Sequence, residues 1–526
     1  MDQQGSQQEK KVPKSAAENV KHPLSPSLDK NLAILKQQLG YGKSFDIILQ
    51  QFDIAGHAAA ILCINGLIDD VLVQREVLHL IKLRAEQWPQ SEGNAGNGRD
   101  AKGSGSGEAG NFIVTQLQRR LLGYYQVSVV ETIDEVIDKV LVGPWALLLD
   151  GDAHALILDM RRYPARSVEE PDLERVTRGA RDGFTEVMLT NTALLRRRLH
   201  DPRLRFEALT AGRRGKTQVV LAYLEDIVRP GLVEKMRRRI EAVDTDGLPM
   251  GVKSLEEYVT GIRLNPLPIV RYTERPDVTA AHLLEGHLVV LVDNTPQVMI
   301  LPVTAWHFTQ HAEEYFQAPS VGTYLRWIRF FGFFISFLLV PLWLGIVRSV
   351  DLFPQSWHWI GPKGPVGVVP LLGQFLIIEL GLDLTRQAFI HTPTPLASSL
   401  GIVAAVLLGQ FAVQTGLLVK EVLLYSSVAF IGFFAIPNME FGIAVRMLRY
   451  LAIIPAGLWG IWGTIGGLTV IFLFFAFTRS FGLPYLWPLI PFNGPALLRI
   501  IFRAPVPMVG TRLLPGVQDT HNKPPQ

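Results

Sequence analysis

Glu379, Asp383, Arg386 and Gln387 stand inside an apolar stretch, residues 367–390, where an ionisable side chain is costly unless it meets water, an opposite charge or a partner. Their spacing of four, three and one places them on one helical stripe. Facing water, that stripe, with Gln374 before it, would line a polar path for ions. Facing each other, Asp383 and Arg386 would form an ion pair that only staples helices, and the sequence leaves both readings open. Gln410 and Gln414, four apart in a second apolar run, either continue the path or hydrogen-bond between helices.

Other constellations carry less. Thr210 to Thr217 reads Thr-Ala-Gly-Arg-Arg-Gly-Lys-Thr, close to a phosphate-cradling loop, which needs glycine at its first position and a helix after it. Position 210 is threonine and 218–224 has the pattern of a strand, so a solvated basic turn is expected. His307 and His311 share a helix face with Glu314 nearby, the elements of a two-histidine, one-carboxylate metal set. They precede the first long apolar run, where aromatic and histidine side chains sit at membrane interfaces, and no metal is expected. Arg196, Arg197, Arg198, Arg203, Arg205, Arg213 and Arg214 are diluted by acidic neighbours, which argues for a solvated helix face or subunit contact over nucleic acid. No nucleophile elbow, Ser-His-Asp spacing or carboxylate pair is legible, so neither catalysis nor a cofactor is expected. Cys63, the single cysteine, excludes an intrachain disulfide and reads as a buried thiol.

The elements that must position these residues divide by solvent. The chain has 526 residues and a formal charge of +3, but residues 1–329 carry 40 basic and 42 acidic side chains whereas 330–526 carry only 11 and 6. A charge-poor half this long fits lipid. The expected organisation is a disordered tail (1–27), a small α/β subdomain (28–89), a Gly/Ser-rich linker (90–110), a larger α/β subdomain (111–317), a membrane domain (318–505) and a cytosolic tail (506–526). Strand pairs are expected around Asp150-Gly151 and around Asn294, with a weaker echo at Asn65-Gly66, and helices near 71–83, 133–142, 185–198, 230–242 and 254–261. Spans are expected at 330–347, 399–419 and 451–478, with a shorter one at 422–436. The stretch 367–390 is expected as an intramembrane or re-entrant segment, and the proline-rich 480–502 as an interfacial one. No apolar run near the start resembles a signal peptide, and flanking arginines favour both ends on the cytosolic side. The fold class is therefore an α/β cytosolic region of two subdomains followed by an α-helical multi-pass membrane domain.

The segments Arg178-Gly-Ala-Arg-Asp-Gly-Phe-Thr-Glu186, Asn191-Thr-Ala-Leu-Leu-Arg-Arg-Arg-Leu199, Thr273-Glu-Arg-Pro-Asp277 and Val292-Asp-Asn-Thr-Pro296, followed by Glu314-Tyr315 and the apolar half, resemble the A-subunit type of the GerA family of spore germination proteins over about 45–507. Asn294 departs from the glycine usual there. The resemblance marks Arg181, Asp182, Glu186, Glu274, Arg275, Pro276 and Asp277 as family-motif positions. It implies a multi-pass protein of the spore inner membrane or cell membrane with its large domain cytosolic. It further implies a homo-oligomer, a pentamer, forming an ion channel that releases monovalent cations, with links to other germination proteins and the dipicolinate-release machinery. The alternative is a membrane-anchored scaffold whose cytosolic domain docks those partners.

Overall fold

Helix α1 (Leu28–Leu39) buries Leu28, Leu32, Leu35 and Leu39, the one-sided pattern of a helix that covers a sheet. The computed structural model describes residues 22–82, 126–163, 174, 176–261, 265–391 and 411–521. The sheet under α1 contains β1 (Ile47–Ile54), β2 (His57–Ile64), β3 (Val127–Val130), β4 (Trp145–Leu149) and β5 (Ala155–Leu158), in the order β1-β2-β4-β5-β3 and antiparallel throughout. Helices α1 and α3 (Ile133–Leu141) pack on one face with Leu62, Leu148 and Ile157, and α2 (Asp70–Ile81) on the other with Ile61, Leu147 and Leu156. Cys63 lies on this second face, and burial pushes its thiol up to about 12.

The same order of elements follows again. Helix α4 (Met188–Arg198) leads into β6 (Leu204–Ala211), β7 (Thr217–Leu224), α5 (Leu232–Glu241), α6 (Val252–Thr260), β8 (Arg271–Thr273), α7 (Pro276–Leu284), β9 (Leu288–Val292) and β10 (Val298–Leu301), and the sheet order is β6-β7-β9-β10-β8. Even the helix entries match. Asn31 accepts from the Ser25 amide at 2.8 Å and donates to its carbonyl at 2.6 Å, and Asn191 does the same with Thr185 at the same two distances. The two sheets are thus an internal duplication, joined by the buried pair Arg196–Asp46 at 2.9 Å.

This duplication corrects the expected boundaries. β2 pairs with β4, Ala59 against Leu149 through Leu62 against Ala146, so the first sheet takes strands from both sides of the Gly-rich stretch. Residues 90–110 and 399–410, the first part of the expected span 399–419 with Gln410 in it, lie outside the described residues, as do residues 1–21 of the expected tail. Residues 22–27 are fixed: the Leu24 amide donates to the Glu131 carbonyl at 2.9 Å. The turns fall where the sequence placed them, with Gly151 and Asn294 at φ 90 and 61°. Thr210 to Thr217 joins antiparallel β6 and β7, and the amides of Arg213, Arg214 and Gly215 donate to the carbonyls of Thr245 and Asp246. Those amides are taken by the protein's own loop.

The apolar half is helical: α8 (Pro319–Arg348), α9 (Leu371–His391), α10 (Lys420–Phe434) and α11 (Met439–Phe477). Among the described residues, α8 and α11 are long and apolar enough to cross a membrane. The stretch read as intramembrane or re-entrant is α9, a continuous helix of 21 residues, about 31 Å long. The run 451–478 is not one straight helix either. Gly460 has φ 61° and ψ −138°, which reverses the chain, so that Phe475 lies 6.4 Å from Phe441. Two antiparallel arms, 439–459 and 461–477, result. Residues after α11 form β11 (Arg479–Ser480), β12 (Leu483–Pro484) and the amphipathic α12 (Gly494–Ile501). This segment docks on the second sheet, where the Ser480 hydroxyl receives the Val303 amide at 2.9 Å and Tyr485 is fully buried. The tail continues the contact, with Leu514 and Val517 buried there.

A Cβ on Gly460 would both adopt a left-handed conformation and lie 1.9 Å from the Ser349 hydroxyl. Gly460→Val is expected to cost upwards of about 2 kcal/mol, lowering membrane abundance and the unfolding temperature in detergent. Gly466→Ala, at a helical site with open space around it, should leave both unchanged or slightly raised.

Candidate functional site

The stripe on α9 splits between two environments. Gln374 is fully buried and donates to the carbonyls of Val366 and Val369 at 2.7 and 2.8 Å while accepting from the Val419 amide, so it fastens the start of α9 to the segment before α10. Glu379, 1% exposed, faces the first arm of α11. One of its carboxylate oxygens accepts from Arg446, with the Nη2 donor 3.0 Å away, and from Arg449. Arg449 also reaches the Ser336 carbonyl of α8 at 2.5 Å, so one acid and two guanidinium groups tie three helices together.

Asp383 lies a turn further along, with 37% of its side chain exposed, 3.1 Å from Arg446. The Asp383–Arg386 staple, one of the two alternatives, is not formed; Arg386 stacks on the Phe433 ring at 5.6 Å instead. Gln387 and Gln414 are exposed. Of the pore-lining candidates, Gln374 and Glu379 therefore serve helix packing, while Asp383, Gln387 and Gln414 have access to the outside of the helices. The arginines that complete the network, Arg446 and Arg449, are not among the sequence candidates. Their spacing of three inside an apolar run was the available signal.

The family-motif residues form a clamp. Arg275, fully buried, donates to Asp277 at 2.8 and 3.1 Å and to the carbonyls of Glu174 and Ala180 at 3.0 and 2.9 Å. Pro276 opens α7, where its missing amide costs nothing. Glu274 accepts from Gln297 at 2.9 Å, Asp182 takes both bonds from one nitrogen of Arg198, and the Glu186 carbonyl receives the Asn294 amide. Arg181 is exposed. Together, these contacts hold the segment around 174–186 against the second sheet.

Below the helices, Glu314 is fully buried between Arg326, at 2.7 Å, and Arg329. Arg326 also donates to the carbonyls of Arg499 and Ile500 at 2.9 and 2.8 Å, fixing the entry of α8 to α12. The set His307, His311 and Glu314 is thereby broken up: Glu314 is committed to the arginines, and His311 receives the Glu313 amide. His307 instead groups with His282 and His287. Burial, reinforced by nearby Arg271, holds these imidazoles below the usual histidine range, His287 at about 4.

With that geometry in place, comparison with known proteins is decisive. The model of the Bacillus/Clostridium GerA spore germination protein family matches residues 33–513. The chain belongs to the GerA family. Stage V sporulation protein AF of Bacillus subtilis (strain 168) is 41% identical over 494 residues, 94% of this chain and 95% of that protein. Spore germination protein KA of the same organism is 28% identical, covering 92% of this chain and 85% of its own length. Among solved structures, the N-terminal domain of the A subunit of the Bacillus megaterium spore germinant receptor GerK3 is 27% identical, covers 53% of this chain and 96% of its own, and superposes with a TM-score of 0.39.

In this GerA-family chain the buried and the half-exposed carboxylate should respond differently to neutralisation. Glu379→Gln leaves Arg446 and Arg449 short of a counter-charge and is expected to cost about 3–5 kcal/mol. Asp383→Asn, at a partly solvated site, should cost about 1 kcal/mol or less. Thermal unfolding of the purified variants, with membrane abundance, checks the order.

Proposed function

We propose that the chain is one subunit of a homo-oligomeric, pentameric channel that releases monovalent cations from the spore core, set in the spore inner membrane or cell membrane with both sheet repeats in the cytosol. The side reading rests on Arg326, which joins the start of α8 to residues 499–500 beyond α11, so both ends of the helical region leave on the same face. The crossings are drawn from α8, α9, α10 and the two arms of α11. Ends on one face require an even number of crossings, as the flanking arginines favour.

The observation that carries the channel reading is Asp383. It is a carboxylate held at the edge of the network by Arg446, half open on α9, with exposed Gln387 one turn on. Repeated around a symmetry axis, such a group lowers the energy of a cation in a narrow passage. The passage lies between subunits, since Gln374 and Glu379 are enclosed within one. No catalytic step is assigned.

Planar-bilayer recording of the purified oligomer tests this. Cation conductance is expected from the wild type and should fall several-fold in Asp383→Asn at normal abundance. Unchanged conductance in that variant removes Asp383 from the pathway, and a silent, intact wild-type oligomer favours the scaffold that docks other germination or dipicolinate-release proteins.

A further inference from the structure

Three histidines from three elements converge beside the entry to the helical region. His282 is on α7, His287 precedes β9, and His307 lies on the 3-10 turn Ala305–Phe308. Each can bring one ring nitrogen to within 4.8 Å of the others. Their ring centroids are 5.0, 5.1 and 5.7 Å apart. Three imidazoles on one tetrahedral ion, at metal–nitrogen distances of about 2.0–2.1 Å, would put their centroids roughly 5.2 Å apart. We propose that His282, His287 and His307 form a binding site for a divalent transition metal of the zinc class.

The surroundings supply the outer contacts such a site needs. His282 Nδ1 lies 2.8 Å from the Val278 carbonyl, so it carries the proton and leaves the Nε2 lone pair for a metal, the usual arrangement behind metal-bound histidine. His287 is 2% exposed, and its Nδ1 has no partner among the described residues. A buried imidazole nitrogen of this kind calls for a partner, an ion or a water. His307 Nδ1 receives the Thr304 amide at 3.0 Å and faces the Thr304 hydroxyl at 2.9 Å. Ligation through Nε2 shifts the proton to Nδ1, which then donates to that hydroxyl in exchange for the bond from the Thr304 amide.

The ring set opens on a cavity of about 330 Å³, on whose wall Asp277 and Glu285 are the acidic side chains. That leaves room for water at a fourth coordination position, while Asp277 on the wall remains paired with Arg275. Three neutral nitrogen donors with no cysteine select zinc, copper or nickel over magnesium or calcium. A metal there would tie α7 and the β9 hairpin to the turn that leads into α8, at the junction of the sheets and the helices.

The test uses the full chain purified in detergent, stripped with chelator and titrated with zinc or cobalt(II). One equivalent of zinc should be retained through desalting and raise the unfolding temperature, and cobalt should give the intense visible bands of a four-coordinate site. His282→Ala/His287→Ala should abolish all three effects, while His311→Ala, outside the set, should keep them. Zinc retained equally by the double variant, or a wild type that neither retains zinc nor develops the cobalt spectrum, overturns the proposal. Because the wild-type cobalt spectrum is decisive by itself, a double variant that fails to fold does not protect the idea.

Discussion

A single carboxylate, Glu379, organises the helical half of this protein. It is 1% exposed, and in surroundings of low dielectric its charge is tolerable only because Arg446 and Arg449 surround it. The two guanidinium groups are in turn balanced by Glu379 and Asp383 together. The acids sit on α9 and the arginines on the first arm of α11, and Arg449 also reaches the Ser336 carbonyl of α8, so the network fixes the depth and rotation of these elements relative to one another. Apolar packing does not supply that register, because hydrocarbon chains solvate a leucine surface as well as another helix does. Close glycine contacts then set the spacing: a Cβ on Gly332 would lie 2.5 Å from Ala435 and 3.2 Å from the Gly432 carbonyl.

From this network a continuous core runs down to the second sheet. Phe441, at the base of the first arm, stacks on Phe308 at 5.3 Å and on Phe333 at 6.0 Å, and Phe308 meets Tyr485 at 6.2 Å. These rings belong to the same apolar cluster as Phe206, Val289 and Ile300 of the sheet. Glu314, held by Arg326 and Arg329, and the Arg275 clamp fasten the flanks. The sheets and helices are therefore joined by packing and by buried charge, which is the connection required if an event in one is to be felt in the other.

Local signals carried much of this architecture. The Asp150-Gly151 and Asn294 turns announce their strand pairs, because each needs a residue that accepts positive φ, and α3 starts where Thr132 caps it. Long-range pairing was not legible. A Gly-rich stretch reads as a boundary, yet β2 and β4 join across it, since nothing local records which strands will meet. The duplication is written in Asn31 and Asn191, each in the first turn of the helix that opens its repeat, but one residue type at two positions is too sparse a signal to reveal it. The reversal at Gly460 is hidden because both arms are equally apolar, and one glycine among several carries it. At the site, the charges within an apolar stretch mark α9, but sequence spacing offers Asp383 only its neighbour Arg386 as a partner, whereas Arg446, far along the chain, is the one it meets. Family-motif residues such as Arg275 mark the clamp that shapes the domain.

The central claim is that Glu379 and its arginines act as one unit. A double-mutant cycle on detergent-purified protein measures this directly, using Glu379→Gln, Arg449→Met and the two combined, in which Arg446 keeps Asp383 as its partner. The account predicts that the double variant is more stable than either single one, with a coupling energy of about 2 kcal/mol or more. Effects that add to within about 0.5 kcal/mol would contradict it.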